Sequence, residues 1–378
     1  MTGLKIVNKN NICYITYQTF PAPTANSLQT VSNIKYLIRN GCDISLVYPL
    51  REPQSSSNLS ELQKYYLFNE EVRLFGTQHK YPFGKINFFN QFFFHLSHFF
   101  WSKKTINEVL KDKKDFDGFI TRSDWIFYFL AKKNKKVIFE CHQLSKIRKF
   151  ILKRGLKNSN SKVIFLNDNL LNFFSSYVNE DNSMVLQNGV DLDEFKNIKT
   201  KKKEIIFVGN LNRFNKDRGI KFIIDGYRHS NISNSYKLKI IGGPNDVANN
   251  LREEIKNLKE EKNIEITGRL GRSETINSIM EAEIGILTNS SINQHSTLHT
   301  SPLKYFEYLA ADLKIIGVDF PAHRALPYAE NINFFKEDDI DTLIEAFNNL
   351  SNKEVNLKDK EEISLNNRAK NIIKFIAI

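Results

Sequence analysis

The sequence predicts an α/β protein built from two Rossmann-like domains, each with a parallel sheet covered by helices. Two observations lead to this fold class. Short runs of β-branched and aromatic residues alternate with longer segments of helical periodicity, the order typical of parallel sheets. The apolar residues in these runs stand on consecutive positions, as expected for strands buried on both faces. At 378 residues the chain is long enough for two such domains.

The first domain is predicted over residues 1–198. A helix that begins near Asn26 or Ser27 and ends at Gly41 separates its first two strands, which gives a βαβ opening. The predicted strands are Ile12 to Thr16, Ile44 to Tyr48, Gly118 to Thr121, Val137 to Glu140, Val163 to Leu166 and Met184 to Leu186.

The second domain is predicted over residues 199–360, because the composition turns lysine-rich near residue 200 and the strand-helix alternation then starts again. Its predicted strands are Ile205 to Val208, Leu238 to Ile241, Ile264 to Thr267, Ile284 to Leu287 and Ile315 to Val318. The last segment, 361–378, has apolar residues at helical spacing. We predict an amphipathic helix that packs back on the first domain.

Composition limits the class of protein and its partners. The chain is 41% apolar and 25% charged, which is typical of a folded protein. Its net charge of +12 favours anionic partners without choosing among nucleic acid, acidic lipid and phosphorylated substrates. Three widely spaced cysteines indicate neither a disulfide framework nor a zinc site, so a reducing, cytoplasmic setting is expected. No secretory signal and no membrane-spanning stretch are predicted.

The loops that follow predicted strands are the expected ligand site, because ligands of open parallel sheets bind beyond the carboxyl ends of the strands. After Ile205 to Val208 comes Gly209 and a loop with three cations, Arg213, Lys216 and Arg218. Glycine allows close backbone approach and cations neutralise phosphate charge, so the loop suits a diphosphate. An ordinary basic turn is the alternative. Glycines, including Gly243, and a cation, Arg269, follow the next two strands.

A later stretch, residues 296–319, carries a second set of candidate residues. Thr300 or Ser301 is predicted to cap a helix whose first turn holds Pro302. Lys304 and Glu307 follow three residues apart and therefore lie close together on that helix. A surface salt bridge is the alternative explanation for this pair.

Several segments, taken in order along nearly the whole chain, resemble retaining GT-B glycosyltransferases of family 4, also called glycosyl transferases group 1. The helix Ser-Pro-Leu-Lys-Tyr-Phe-Glu-Tyr-Leu-Ala (301–310) and the following Lys-Ile-Ile-Gly-Val-Asp and Phe-Pro-Ala-His-Arg are similar to that family's donor site. Leu-Gln-Asn-Gly-Val-Asp-Leu-Asp-Glu-Phe (186–195) resembles its inter-domain segment, and Phe-Val-Gly-Asn-Leu (207–211) its second-domain opening. In the first domain, 20–29, 121–123 and 139–142 resemble positions facing the cleft.

The resemblance implies a GT-B fold, with two parallel sheets facing a central cleft, and a role for each candidate residue. Glu307 would accept hydrogen bonds from the donor ribose, and His142 would approach the transferred sugar. The other residues form two sets. The donor set is Gly209, Arg213, Lys216, Arg218, Gly243, Arg269, His299, Thr300, Ser301, Pro302, Leu303, Lys304 and Glu307, and the acceptor side holds Thr24, Asn26 and Arg122. Family members usually carry a second glutamate eight positions before the ribose glutamate, where this chain has His299.

The function expected from the resemblance is metal-independent, retaining hexosyl transfer. The donor is a UDP- or GDP-sugar, which serves as co-substrate with no further cofactor, and the acceptor is a saccharide or a lipid-linked glycan. Such an enzyme would serve cell-envelope polysaccharide or glycolipid synthesis. His142 follows a predicted strand, where its imidazole would bond a sugar hydroxyl or orient the acceptor; a purely structural histidine is the alternative.

The aromatic segment from His79 to Lys104 has two interpretations. Its phenylalanines and lysines suit peripheral contact with an anionic membrane, which would bring the enzyme to a lipid-linked acceptor. A helix packed inside the first domain explains the same pattern.

Two other functions stay open from the sequence. A nucleotide-sugar epimerase of the same architecture would form product without an acceptor. A nucleic-acid-binding protein is suggested by charge alone, but we find no stacking platform or recognition helix and expect no nucleic-acid partner.

Overall fold

The computed structural model of the protein describes residues 10–79, 90–111, 115–197, 199–213, 216–256, 258, 261–352, 357 and 359–377. The chain forms two compact units. The first contains Met1–Leu186 and Leu365–Ile378, and the second contains Gln187–Ser364.

The first unit is a parallel sheet between two helical layers. Within the described residues its seven strands stand in the order β3-β2-β1-β4-β5-β6-β7, and every pairing is parallel. The strands are β1 (Asn10–Ile15), β2 (Cys42–Leu50), β3 (Arg73–Gln78), β4 (Gly118–Thr121), β5 (Val137–Cys141), β6 (Ser161–Phe165) and β7 (Ser183–Val185). The helices are α1 (Ala25–Arg39), α2 (Leu59–Tyr66), α3 (Asn90–Lys111), α4 (Asp124–Lys132), α5 (Lys146–Gly155) and α6 (Asp168–Phe173).

Successive side chains of these strands enter opposite hydrophobic cores, which explains the unbroken apolar runs. Ile12 and Tyr14 of β1 pack in the core that α1 and α2 cover. Cys13 and Ile15 pack in the core on the other face, under α3, α4, α5 and α6. Helix α1 begins after Thr24, whose side chain accepts a hydrogen bond from the Ser27 amide. The predicted caps, Asn26 and Ser27, therefore lie inside the helix.

The second unit repeats this architecture. Within the described residues its main sheet has six parallel strands in the order β12-β11-β8-β13-β14-β15, and a small antiparallel hairpin stands apart. The strands are β8 (Glu204–Val208), β9 (Asn212–Arg213), β10 (Lys216–Asp217), β11 (Lys237–Ile241), β12 (Ile264–Gly268), β13 (Ile284–Leu287), β14 (Lys314–Val318) and β15 (Ile332–Phe335). The helices are α7 (Ile220–His229), α8 (Asn245–Ile255), α9 (Arg272–Glu281), α10 (Leu303–Ala310), α11 (Pro321–Arg324) and α12 (Ile340–Asn348).

The last helix, α13 (Leu365–Ala377), belongs to the first unit. Its apolar face joins the core under α1, and Arg368 forms a buried ion pair of 2.6 Å with Glu140 of β5. The Tyr14 hydroxyl donates to the other oxygen of Glu140 at 2.9 Å. Both carboxylate oxygens of Glu140 thus have a partner, which stabilises its charge in the buried site.

The structure sets the unit boundaries at residues 186/187 and 364/365, whereas the sequence places them at 198/199 and 360/361. The residues just after Leu186 already bond into the second unit: the Asn188 side chain donates to the Ser301 carbonyl at 2.6 Å, and the Val190 amide donates to Ile363 at 2.9 Å. The chain therefore passes from the first unit to the second before the lysine-rich stretch begins, so that stretch does not mark the boundary.

All eleven predicted strands are present, and the structure adds the hairpin strands β9 and β10 and, at the edges of the main sheets, β3 and β15. The central residues of β3 and β15 are only partly buried, and neither strand has the continuous apolar run by which the main-sheet strands were predicted.

Candidate active site

The central strands of the second unit form a topological switch point. Strands β8 and β13 are neighbours, and the chain proceeds from β8 toward one edge of the sheet and from β13 toward the other. Ligands of such sheets bind in the crevice beyond the carboxyl ends of these two strands. Helix α10 contacts both strands there: the Tyr308 hydroxyl accepts from the Val208 amide at 3.1 Å and donates to the Ile286 carbonyl at 3.4 Å.

Glycines make this close packing possible. A Cβ atom at Gly285 would lie 2.5 Å from the Tyr308 ring, so a larger residue in β13 would push α10 away. At Gly242, just after β11, a Cβ would lie 1.8 Å from the carbonyl oxygen of Gly209. Backbone cannot move aside as a flexible side chain does, so this position requires glycine.

Two arginines converge on Asn210 at the carboxyl edge of the sheet. Arg218 donates to the Asn210 carbonyl at 3.4 Å and to the Thr288 carbonyl, just after β13, at 2.9 Å. Arg269 donates to the Asn210 side chain at 3.2 Å. The backbone of Gly209 lies against Arg218 and that of Gly243 against Arg269, since a Cβ at these glycines would meet the guanidinium groups at 3.2 and 3.4 Å. Four predicted donor residues are thus brought together.

The other two predicted phosphate cations are Arg213 and Lys216. The backbone of Arg213 lies in β9 and that of Lys216 in β10, which pair as an antiparallel hairpin. Their side chains lie outside the described residues.

The amino terminus of α10 differs from the prediction. The residue before the helix is Pro302, Leu303 is its first residue, and no side chain caps it. The predicted cap at Thr300 or Ser301 is therefore wrong. Ser301 instead accepts from the Asn188 amide at 3.2 Å, and Thr300 has extended backbone. The chain is held at Ser301 by the segment 187–188, so the first amides of α10 remain without a side-chain cap and suit an anion.

Glu307 is buried, with 4% of its surface exposed, in a network of four charged side chains. One of its carboxylate oxygens accepts from Arg272 at 2.7 Å, and the other accepts from Lys304 at 2.5 Å. The same Arg272 forms a bidentate ion pair with Glu194, whose Nε to Oε1 distance is 3.0 Å. The Lys304–Glu307 pair is thus part of a network of two cations and two carboxylates, not an isolated surface salt bridge.

The network keeps Glu307 ionised. Burial acts to raise the pKa of Glu307, but Arg272 and Lys304 outweigh it and hold that pKa below its ordinary value. Burial lowers the pKa of Lys304, with the Glu307 charge opposing it. A carboxylate has about four acceptor positions. Within the described residues two are occupied, so the others can accept hydroxyl groups.

His299 ends a short π-helical turn, His295–His299, that precedes α10. Its side chain is 3% exposed, and burial lowers the pKa of the imidazole. At neutral pH this position therefore carries a neutral ring, where the resembled family usually has a negative glutamate.

The predicted acceptor-side residues assemble at the switch point of the first unit, between β1 and β4. Arg122 follows β4 and donates to the Asn26 side chain at 3.2 Å, to Gln29 at 3.0 Å and to Nδ1 of His142 at 2.9 Å. His142 follows β5, and Thr24 caps α1 beside Asn26. Among the described residues these partners of Arg122 are all neutral.

Sequence reasoning missed three residues of the second unit that hold the candidate groups in place: Glu194, Asn210 and Arg272. Asn210 lies in the basic loop, but its uncharged side chain does not by itself indicate a phosphate site. Glu194 and Arg272 are 78 positions apart, and no local pattern links them to Glu307.

In the part of the chain that the structure describes, no group of three histidine, cysteine, aspartate or glutamate side chains is arranged to hold a metal ion. Helices there are all too short or too polar to cross a bilayer.

Two comparisons with known proteins gave matches, one to part of the sequence and one to the whole fold. Residues 202–353 match the sequence model of the family described as Glycosyl transferases group 1. A search of curated proteins gave no match. The likeness to solved structures extends over nearly the whole chain. A glycosyltransferase from Rickettsia africae ESF-5 has a TM-score of 0.67 at 16% identity, covering 98% of each chain.

Two further structures show the same likeness. The Anabaena protein Alr3699/HepE in complex with UDP has a TM-score of 0.64 at 11% identity, covering 97% of this chain and 99% of that one. The lipopolysaccharide outer core galactosyltransferase WaaB has a TM-score of 0.64 at 14% identity, with coverage of 97% and 99%. At these identities the likeness establishes the fold, and the predicted GT-B class is confirmed.

Proposed function

We propose that this chain, whose residues 202–353 match the sequence model of the group 1 glycosyl transferases, is a member of that family and moves a hexose from a nucleotide-diphosphate donor to a saccharide or lipid-linked acceptor. The observation that carries the proposal is Glu307: an ionised, buried carboxylate beside the switch point, with acceptor positions left for hydroxyl groups. A ribose offers two adjacent hydroxyls that suit such a carboxylate. The UDP held by the structurally similar Anabaena protein favours a uridine donor.

The diphosphate would bind between the start of α10 and the two arginines at the carboxyl edge of the sheet. Arg218 and Arg269 supply two cations there, and the uncapped amides at Leu303 and Lys304 supply hydrogen-bond donors. As the glycosidic bond of the donor breaks, negative charge grows on the departing diphosphate, and these groups stabilise it. We propose that no metal is required, because the cations and amides meet that charge. We also propose retention of configuration, which the resemblance to retaining GT-B enzymes implies.

The acceptor would bind at the Arg122–Asn26–His142 group of the first unit. The hydrogen bond from Arg122 orients the imidazole of His142. We propose that this imidazole bonds either a hydroxyl of the transferred sugar or the attacking hydroxyl of the acceptor. At the position of His299 a neutral ring replaces the usual glutamate, so we expect a sugar contact of different charge.

The structural likeness to a lipopolysaccharide galactosyltransferase supports a role in cell-envelope polysaccharide or glycolipid synthesis. Cys13, Cys42 and Cys141 are buried thiols, which suits a reducing compartment. We therefore propose that the enzyme works in the cytoplasm, at the inner face of the membrane.

Thermal-shift screening with uridine, guanosine and adenosine diphosphate sugars tests the donor assignment. One base should stabilise the wild type, because a ligand that binds only the folded state raises the melting temperature. The Glu307→Ala variant should lose that response. Stabilisation by none of the three, or equal stabilisation of the variant, contradicts the proposal.

Product analysis with the stabilising donor then separates the enzyme classes. Transfer should require an added acceptor, whereas conversion of the donor sugar without an acceptor would indicate an epimerase. Nuclear magnetic resonance of the product reports whether the anomeric configuration is retained.

A further inference from the structure

The outer helical layer of the first unit exposes aromatic side chains beside a concentration of cations. Five large apolar residues on α3, α5 and α6 are exposed by between 39% and 61%: Phe92, Leu96, Phe100, Phe150 and Phe173. We call these residues and the lysines and arginines around them the aromatic–basic face. Exposed apolar groups of this size mark interaction surfaces when they are contiguous.

Ring contacts show that the face is contiguous across the helices. On α3, Phe92, Leu96 and Phe100 are spaced by four residues and so lie along one side. Phe100 contacts Phe99, which lies 5.2 Å from Phe129 of α4. Tyr128, which contacts Phe129, stacks on Phe150 of α5 with the ring centres 6.4 Å apart.

The face extends from α5 to α6 through a cation. The Lys149 ammonium lies 5.1 Å from the centre of the Phe173 ring, and the Arg154 guanidinium lies 4.8 Å from that of Phe150. Exposed rings and cations are thus interleaved. This is the arrangement of a surface that meets both acyl chains and charged headgroups.

Helix α5 carries most of the charge. Its sequence, Lys-Ile-Arg-Lys-Phe-Ile-Leu-Lys-Arg-Gly, contains no acidic residue, and Lys146, Lys149, Lys153 and Arg154 are exposed. The fifth cation, Arg148, is buried in an ion pair with Asp124 at 2.6 Å and fixes the helix to α4. Exposed lysines also stand at 103 and 104 on α3 and at 132 and 133 next to the end of α4.

We propose that the aromatic–basic face docks on an anionic lipid bilayer, with the exposed phenylalanines entering the headgroup region and the cations binding acidic lipids. This proposal rests on the proposed function, since it gives the enzyme its route to a lipid-linked acceptor. Like charge opposes a second copy of the chain on the same face.

The docking helix also adjoins the acceptor-side group. Ser145, which caps α5, stands three residues after His142, and Arg148 of α5 donates to the Gln143 carbonyl at 2.5 Å. The loop that carries His142 is therefore tied to the helix that meets the membrane. A lipid-linked acceptor in the docked bilayer would lie near the residues assigned to it.

Flotation of the full chain with vesicles tests the proposal. The protein should bind vesicles of phosphatidylcholine mixed with phosphatidylglycerol, and not vesicles of phosphatidylcholine alone. Each cation near an anionic surface contributes roughly fivefold to binding, so Lys149→Gln with Lys153→Gln should weaken it about 30-fold. Phe150→Ser with Phe173→Ser should also weaken binding, and higher salt should reduce binding of the wild type.

The matched controls lie on α2, which packs on the opposite face of the sheet. Tyr65→Ser and Lys64→Gln replace an exposed aromatic residue and an exposed lysine there, and both should bind vesicles as the wild type does. Equal binding to neutral and anionic vesicles, unchanged binding of both face variants, or equal loss in the α2 variants would overturn the proposal. The proposal would also be overturned if random oligonucleotides displaced the protein from vesicles as effectively as excess lipid does.

The donor response separates this proposal from the proposed function. Both face variants should retain the thermal stabilisation by the nucleotide sugar that the wild type shows, because their substitutions lie outside the donor site. Vesicle binding without any nucleotide response would contradict the proposed function alone, and a nucleotide response without vesicle binding would contradict the docking surface alone.

Discussion

The two units share one architecture but differ in how they treat charge at the switch point. In the second unit, Glu307 is joined to Arg272 and Lys304, and Arg272 to Glu194, so two cations face two carboxylates. In the first unit, the hydrogen bonds of Arg122 go to the neutral groups of Asn26, Gln29 and His142.

This difference indicates what each site can bind. The balanced network of the second unit keeps a carboxylate ionised and fixed, which suits hydroxyl groups, and its separate arginine pair suits phosphate. In the first unit, the guanidinium positions neutral groups, which suits a sugar acceptor. Under the proposed function, the same fold would support two kinds of binding site, because the loops beyond the strands differ.

The largest expected effect is that of Glu307→Ala. The change leaves the partly buried Lys304 and Arg272 without this carboxylate and should cost about 3 kcal/mol of unfolding free energy. Donor affinity should fall about 100-fold or more, since two hydrogen bonds to a charged group are lost. Urea unfolding and calorimetric titration with UDP measure the two effects. Unchanged UDP affinity in a folded variant would remove Glu307 from the donor site.

The Gly242→Ala substitution should damage the second unit selectively. Its methyl group would lie 1.8 Å from the Gly209 carbonyl, so β8 and β11 must separate at the carboxyl edge, at a cost of about 3 kcal/mol. Both tryptophans, Trp101 and Trp125, lie in the first unit, so their fluorescence reports that unit. Circular dichroism should show the weakened unit melting first.

Gly118→Ala in the first unit is the matched comparison. Its methyl group would meet the end of the Ile376 side chain, at 2.5 Å, and that side chain can rotate. A smaller loss of stability is expected than at Gly242. An equal or greater loss would show that the backbone contact at Gly242 does not dominate.

His142→Ala should separate the roles of the units. We expect the turnover number to fall about 100-fold, the lower range for loss of a positioned acid-base or hydrogen-bonding group. UDP affinity should stay unchanged, because the residue lies in the other unit. Steady-state kinetics with UDP titration tests this, and a loss of UDP affinity as large as the loss of rate would place His142 in donor binding.

Acid should destabilise the first unit more than the second. Burial lowers the pKa of His98 to about 3 and that of His79 to about 4 in the first unit, and that of His323 to about 4 in the second. As the pH falls, these histidines therefore become protonated in the unfolded chain near pH 6.5, before they do so in the folded protein. Stability is complete above that pH and falls toward pH 4, by at most about 1.4 kcal/mol per pH unit for each histidine.

Tryptophan fluorescence and circular dichroism, followed in urea between pH 7 and pH 4.5, measure this difference. As the pH falls, the urea midpoint of the fluorescence transition, which reports the first unit, should decrease more than the midpoint of the remaining dichroism transition. In the His98→Gln variant, the urea midpoint of the fluorescence transition should depend less steeply on pH. Parallel shifts of both signals would show that the two units do not differ in this respect.

The sequence by itself determined the fold class and most of the strands, because local patterns carry that information. Consecutive apolar residues mark strands buried on both faces, and the glycine and cations after β8 predict a phosphate-binding loop. Family resemblance added two candidates, Glu307, which lies within α10, and His142, which follows β5. The cap of α10 was wrong, because the Ser301 hydroxyl is engaged by Asn188, more than a hundred residues earlier.

Only the tertiary structure decided how the candidate groups are held. Glu194 and Arg272 reach Glu307 from two distant elements, and Phe150 joins the aromatics of α3 across α4. Such contacts depend on how helices pack over a sheet, and a local pattern does not encode their distances. The physical reason is the same in both cases: charge and exposure belong to neighbours in space, whereas the sequence lists neighbours along the chain.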